Sequence, residues 1–224
     1  MVGILNDAKL DRLLSRLHAA SKAQDEAITR YFWQERTGPW TGMEPRDHAF
    51  MADKMVALDQ DKSEYCYLMC RAIGARRVAE IGTSFGVSTL YLAAAVRDNG
   101  GGVVFAAENE PGKAAQARTN FEAAGVSRFI DFHEGDVVEA VKGFEAPIDF
   151  VLFDIWSQVA RPAFDIVLPR LRAGAVVCTD GTANARSGAD SGYGPLFEIL
   201  DDPAHGFRSM TLPFQGGFEL SVKL

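Results

Sequence analysis

The chain has 224 residues, 47% of them hydrophobic, and a formal net charge of −7, enough for one large core without disulfide support. Its acidic balance, with a pI near 5.1, excludes the basic face that a nucleic-acid substrate requires and leaves a small molecule as the expected partner. The longest uncharged run, Ile81 to Val96, falls short of the roughly 20 residues of a membrane span, and Met1-Val-Gly-Ile-Leu5 is too short for a signal core, so no membrane contact and a cytoplasmic location are expected.

Leu10, Leu13, Leu14 and Leu17 recur at helical spacing after a cap at Asn6, and Ser21-Lys-Ala-Gln24 reads as a capping box opening a second helix through Phe32. Thr37 to Gly42 is turn-rich, and Pro45 starts a third helix carrying Phe50, Met51, Met55 and Leu58. Cys66 and Cys70 sit four apart on a predicted helix that Gly74 ends, while Cys178 lies in an apolar strand. With no metal-ligand spacing among them, core packing is their expected role.

From there strands and helices alternate: strand 77–81, helix 87–96, strand 103–107, helix 111–124, strand 129–133, a short helix 137–142, and strand 148–153. A helix near 163–171, strand 175–179, helix 193–200 and a closing hairpin of strands 207–212 and 218–223 follow. This pattern predicts an α/β fold, a Rossmann-like doubly wound, mostly parallel seven-stranded sheet with an antiparallel C-terminal edge strand. An N-terminal helical extension, residues 1–60, precedes a core of residues 61–224.

The most informative turn follows the first strand, where Val78-Ala-Glu-Ile-Gly82-Thr-Ser84-Phe-Gly86-Val-Ser88 passes from strand to helix. Glycines there let the backbone approach a ligand, and the helix N-terminus offers free N–H groups. A dinucleotide fingerprint places a second glycine where Ser84 stands. Glu80 at the strand end would repel a pyrophosphate and suit an ammonium, which points to S-adenosylmethionine. Glu108, at the tip of the next strand before Asn-Glu-Pro111, has the position of a ribose clamp. Glu80, Glu108, Asp136, Asp154 and Asp180 each stand at a strand end, the edge at which open parallel sheets bind ligands.

With Glu134-Gly135-Asp136, Ile148-Asp-Phe-Val-Leu-Phe-Asp154-Ile-Trp156 and Leu171-Arg-Ala-Gly-Ala-Val-Val-Cys-Thr-Asp180, these blocks resemble the class I S-adenosylmethionine-dependent methyltransferases. Within that family they are most similar to the catechol and caffeoyl-CoA O-methyltransferases, roughly from Leu58 to Leu224. The resemblance implies transfer of the S-adenosylmethionine methyl group to a hydroxyl, expected to be phenolic, of a small molecule. It implies cofactor contacts from Glu80, Gly82, Ser84, Gly86, Ser88, Glu108, Gly135, Asp136, Asp154 and Trp156, with Asp136 and Trp156 beside the adenine and Ser84 and Ser88 near the methionine end. It also implies an N-terminal lid over the cofactor that shapes the acceptor pocket, which Phe32, Trp33, Trp40 and Met43 would line; separately, the apolar N-terminal helix pair leads to the expectation of a homodimer.

For the chemistry, the resemblance implies Asp154 and Asp180 as catalytic residues and as ligands of a divalent cation (Mg), which lowers the acceptor pKa. Gly181 stands where the family has its asparagine ligand, and Ser157 or Gln158 where it has a lysine. Two readings follow: magnesium on the two acids and water, with Asn184 as a further oxygen donor, or no metal, with Asp154, Asp180, His48 or His133 as the base. The glycine-rich loop 181–194 carries Arg186, placed to meet an acidic acceptor. Two other classes remain alternatives: a nicotinamide-dependent oxidoreductase and a catalytically inactive adenosine-ligand-binding scaffold.

Overall fold

The structure is a computed structural model that describes residues 3–37, 42–183 and 192–224. Seven strands form one sheet: β1 (Arg77–Ile81), β2 (Val103–Glu108), β3 (Ile130–Glu134), β4 (Ile148–Phe153), β5 (Leu171–Asp180), β6 (Phe207–Leu212) and β7 (Phe218–Lys223). Their order is β3-β2-β1-β4-β5-β7-β6. The first five pair in parallel, and β7 runs antiparallel between β5 and β6, so the predicted α/β class and antiparallel edge hold. Strand order reverses at β1 and β4, which opens a crevice beyond their carboxyl ends.

The helices are α1 (Ala8–Lys22), α2 (Asp25–Arg30), α3 (Pro45–Met51), α4 (Gln60–Ala72), α5 (Val87–Asp98), α6 (Pro111–Ala124), α7 (Val137–Val141), α8 (Ser157–Val167) and α9 (Gly194–Asp201). Those carrying Leu10, Cys66, Leu90 and Phe121 bury their apolar faces on one side of the sheet, and those carrying Val141, Phe164 and Leu196 on the other. The helix α5 is apolar all round and buried from Val87 to Val96, as a helix packed on every side must be.

Four local expectations are corrected. Asp7, not Asn6, caps α1, accepting hydrogen bonds from the Lys9 and Leu10 amides. Ser21 lies inside the last turn of α1 and opens no new helix; its hydroxyl donates to the Met55 carbonyl and accepts from the Ala57 amide. The helix α8 starts at Ser157, ahead of the expected start, because Pro162 falls inside it without ending it. The strand β5 begins at Leu171, ahead of the expected 175, through an irregular stretch in which Gly174 takes φ +76°.

Candidate active site

A cleft of about 740 Å³ lies beyond the carboxyl ends of the parallel strands. Of the residues singled out from the sequence, Gly82, Ser84, Glu108, Asp136, Asp154, Trp156 and Asp180 line it. Glu80, Gly86, Ser88 and Gly135 are not among its lining residues.

The turn after β1 explains the glycines. Gly82 takes φ +101°, and a Cβ there would fall 2.1 Å from the Asp154 carbonyl oxygen, because the chain crosses close over β4 where the Asp154 amide donates to Ile81 O. Gly86 starts α5 at φ +78°, and a Cβ on it would strike the Phe121 ring of α6 at 2.4 Å. That makes Gly86 a close-packing position between helices. Between them Ser84 takes φ +49°, a left-handed conformation uncommon outside glycine, and its hydroxyl is buried without a hydrogen-bond partner among the described residues.

Glu108 is held from both sides. One carboxylate oxygen accepts the Ser84 amide at 2.7 Å and the other the Glu110 amide at 2.9 Å. Each oxygen keeps a lone pair directed away from these amides, so the group is oriented before any ligand arrives. Lys113 flanks it in the cleft wall; burial pulls its pKa down, against the opposing pull of Glu108 and Glu110. Asp136 uses one oxygen to cap α7 through the Glu139 amide, 2.9 Å away, and Trp156 precedes α8 with its side chain 38% exposed.

Glu80 sits beneath the cleft floor, fully buried. One of its oxygens accepts from the Thr83 and Thr89 hydroxyls. Burial pushes its pKa up to about 7, opposed by hydrogen bonds from Ser88, Thr89 and Thr83. That oxygen faces the hydroxyls of the turn and of α5, while the other, Oε1, is buried without a hydrogen-bond partner among the described residues.

At the far end Asp154 and Asp180 follow the paired residues Phe153 and Thr179 on adjacent strands, so the two acids are neighbours. Burial raises the Asp154 pKa well above the usual carboxylate range, with Asp180 and Glu80 adding to it. The sequence reading missed what faces Asp180: the Lys62 ammonium of α4, 2.6 Å from its Oδ1 and 3.0 Å from Asp59, on a side chain only 3% exposed. Burial opposes that charge, but Asp180 and Asp59 outweigh it and hold the Lys62 pKa above the ordinary lysine value. A signal existed, for Lys62 stands four residues before Cys66 and eight before Cys70, on the buried face of α4.

These residues do not fit the expected magnesium site. Gly181 offers no side-chain donor, and among the described residues no group of three or more His, Cys, Asp and Glu side chains is placed to hold an ion. An ion on Asp180 at about 2.1 Å would lie within roughly 5 Å of the Lys62 ammonium. Asn184, the other proposed donor, lies outside the described residues, as does Arg186.

The N-terminal segment forms the opposite wall, through His48, Met51, Ala52 and Val56. Phe32, Trp33 and Met43 are not among the lining residues: Phe32 packs edge-on against Tyr31 and Phe50, and Trp33 is 84% exposed. Trp40 lies outside the described residues. His133, weighed as a base, stacks on Phe105 and is absent from the lining.

Residues 79–182 match a family described as a methyltransferase domain. A catechol O-methyltransferase of Mycobacterium tuberculosis is 30% identical over 126 residues, 56% of each chain. Another from Niastella koreensis is 23% identical over 129 residues, 56% of this chain and 58% of its own. The chain thus spans little more than half the length of the curated relatives it matches. Among solved structures, an O-methyltransferase from Bacillus cereus in complex with SAH superposes with a TM-score of 0.69 at 19% identity, covering 94% of this chain and 100% of that one. The O-methyltransferase TomG from Streptomyces achromogenes, in complex with SAM, gives 0.64 at 22% identity, covering 91% and 98%. Residues 79–182 are thus similar to a methyltransferase domain, and the chain shares the fold of these solved O-methyltransferase structures.

Proposed function

We propose that the chain is an O-methyltransferase that uses S-adenosylmethionine to methylate a hydroxyl, phenolic by analogy with the relatives named catechol O-methyltransferases, on a small molecule. The observation that carries this is Glu108, fixed by two backbone amides at the tip of β2 in the cleft lining. In this reading Glu108 accepts both ribose hydroxyls, the unpartnered Ser84 hydroxyl binds toward the methionine end, and Asp136 and Trp156 border the adenine.

S-adenosylmethionine, when bound, supplies a methyl carbon activated by its sulfonium. The chain's own part is to hold the acceptor oxygen in line with that carbon, which carries most of the rate enhancement, and to take the acceptor's proton on Asp154 or Asp180. Residues 1–60 act as a lid, supported by His48, Met51, Ala52 and Val56 along the cleft. A homodimer and a cytoplasmic setting complete the reading; sedimentation of the purified chain tests the first.

Calorimetric titration with S-adenosylhomocysteine tests the proposal. Micromolar, one-to-one binding is the expected result, and it selects the chain for an acceptor screen. No detectable heat would return the oxidoreductase and scaffold readings.

A further inference from the structure

The acids Asp154 and Asp180 stand side by side at the ends of β4 and β5 and line the cleft. Neighbouring half-buried carboxylates that stay ionised need a compensating positive charge. Here that charge comes from a distance of 118 residues, as the Lys62 ammonium 2.6 Å from Asp180. It is a built contact: Lys62 is 3% exposed, Asp59 braces it at 3.0 Å from the preceding turn, and the stem leaves α4 on the face that also buries Cys66 and Cys70.

The residue after Asp180 matches this arrangement. Gly181 takes φ +72°, and a Cβ placed on it would meet nothing within 4 Å among the described residues. Space for a donor side chain is there, and the sequence leaves it empty. After Asp154 the chain reads Ile-Trp-Ser157-Gln158; Ser157 begins α8 and Gln158 reaches back to Gly42, so neither brings a cation to the acids. Among the described residues Lys62 is the cation paired with Asp180.

We infer that the Lys62 ammonium holds the place of a divalent cation at the Asp154–Asp180 pair, so that this site takes no metal ion and methyl transfer by the chain is indifferent to chelators. The part concerning chelators rests on the proposed methyltransferase function; the exclusion of the ion does not. A divalent ion entering the pair would have to displace the ammonium from Asp180 or share one carboxylate with it, and like charges that close repel strongly where water is scarce.

The test is Mn²⁺ binding to the purified full-length chain, followed by the loss of the free-ion paramagnetic signal. Wild-type protein is expected to show no saturable site up to about 1 mM, the weak end of protein cation sites. Replacing the ammonium and restoring the missing donor, Lys62→Met with Gly181→Asn, is expected to create one site per chain, at least roughly tenfold tighter. Asparagine is the side chain best suited to the left-handed backbone at 181. A wild-type site of one Mn²⁺ per chain that Asp180→Asn removes would overturn the inference. So would a double variant that folds and binds Mn²⁺ no better than wild type. If the double variant does not fold, the wild-type and Asp180→Asn titrations decide alone. Titrating S-adenosylhomocysteine with and without EDTA separates the two proposals: loss of binding in both would sink the methyltransferase function and leave the Mn²⁺ result standing, whereas binding lost only in EDTA would overturn the inference.

Discussion

Glu108 shows how much one side chain does in this cleft. It accepts the amides of Ser84 and Glu110 and so ties the turn after β1 to the tip of β2. Glu108→Ala is therefore expected to weaken S-adenosylhomocysteine about 100-fold, the worth of two hydrogen bonds to a charged acceptor, and to lower stability by about 1–3 kcal/mol through the two orphaned amides. Glu108→Gln, which can still accept one amide, should lose affinity while giving back part of the stability. Calorimetry and urea unfolding on both variants check this, and unchanged affinity in Glu108→Ala would remove the residue from the ribose role. This acid was legible in the sequence because an apolar run ends on it and a proline follows. Lys62 was not, since its partner lies 118 residues away and only the helical spacing to Cys66 and Cys70 marks it as inward-facing.

At the scale of elements, the wall formed by α3 is held by a buried polar knot that no local pattern announces. Asp47 is fully buried; it accepts from the Tyr31 hydroxyl at 2.8 Å, from Arg36 at 3.1 Å and from the Glu44 amide at 2.9 Å. The sequence reading placed a helix at Pro45 correctly, although it ends at Met51 and leaves out Met55 and Leu58, which were expected on it; it missed the knot, because its members come from α2's continuation, a loop and α3. Periodicity reads the strands and helices of the sheet well for a related reason: each buries a regular stripe. The segment from Ser21 to Leu58 buries scattered polar groups instead, and there the caps and the lining residues were misplaced. Asp47→Ala would leave the Arg36 guanidinium without its buried carboxylate, so amide exchange across residues 25–55 is expected to rise at least roughly tenfold while the amides of β1, β4 and β5 stay protected. Uniform exchange in wild type and variant would show that the knot does not hold the wall.

For the molecule as a whole, the pH dependence of stability carries a signature of Glu80. Its pKa rises from the ordinary 4.5 to about 7 on folding, chiefly through burial. The folded state thus keeps a proton that the unfolded chain gives up, and Glu80 costs stability progressively as pH rises from about 4.5 to about 7, by roughly 3 kcal/mol in the limit. Glu80→Gln is expected to gain on wild type in urea unfolding as pH goes from 5 to 8; a constant difference between the two would contradict the assignment. The clamp at Ser21 has a consequence of another kind. Its hydroxyl binds Met55 O and the Ala57 amide, 36 residues on in the latter case, and Gln24 accepts the Met55 amide, so the chain between is an excursion whose two ends are stitched together. Closing such an excursion costs only about 0.6 kcal/mol more for each doubling of its length. Changes of length between residues 25 and 54 that spare the knot around Asp47 therefore cost little in chain closure, and descendants of this chain can resize the wall over the cleft for new acceptors while inheriting the sheet unchanged.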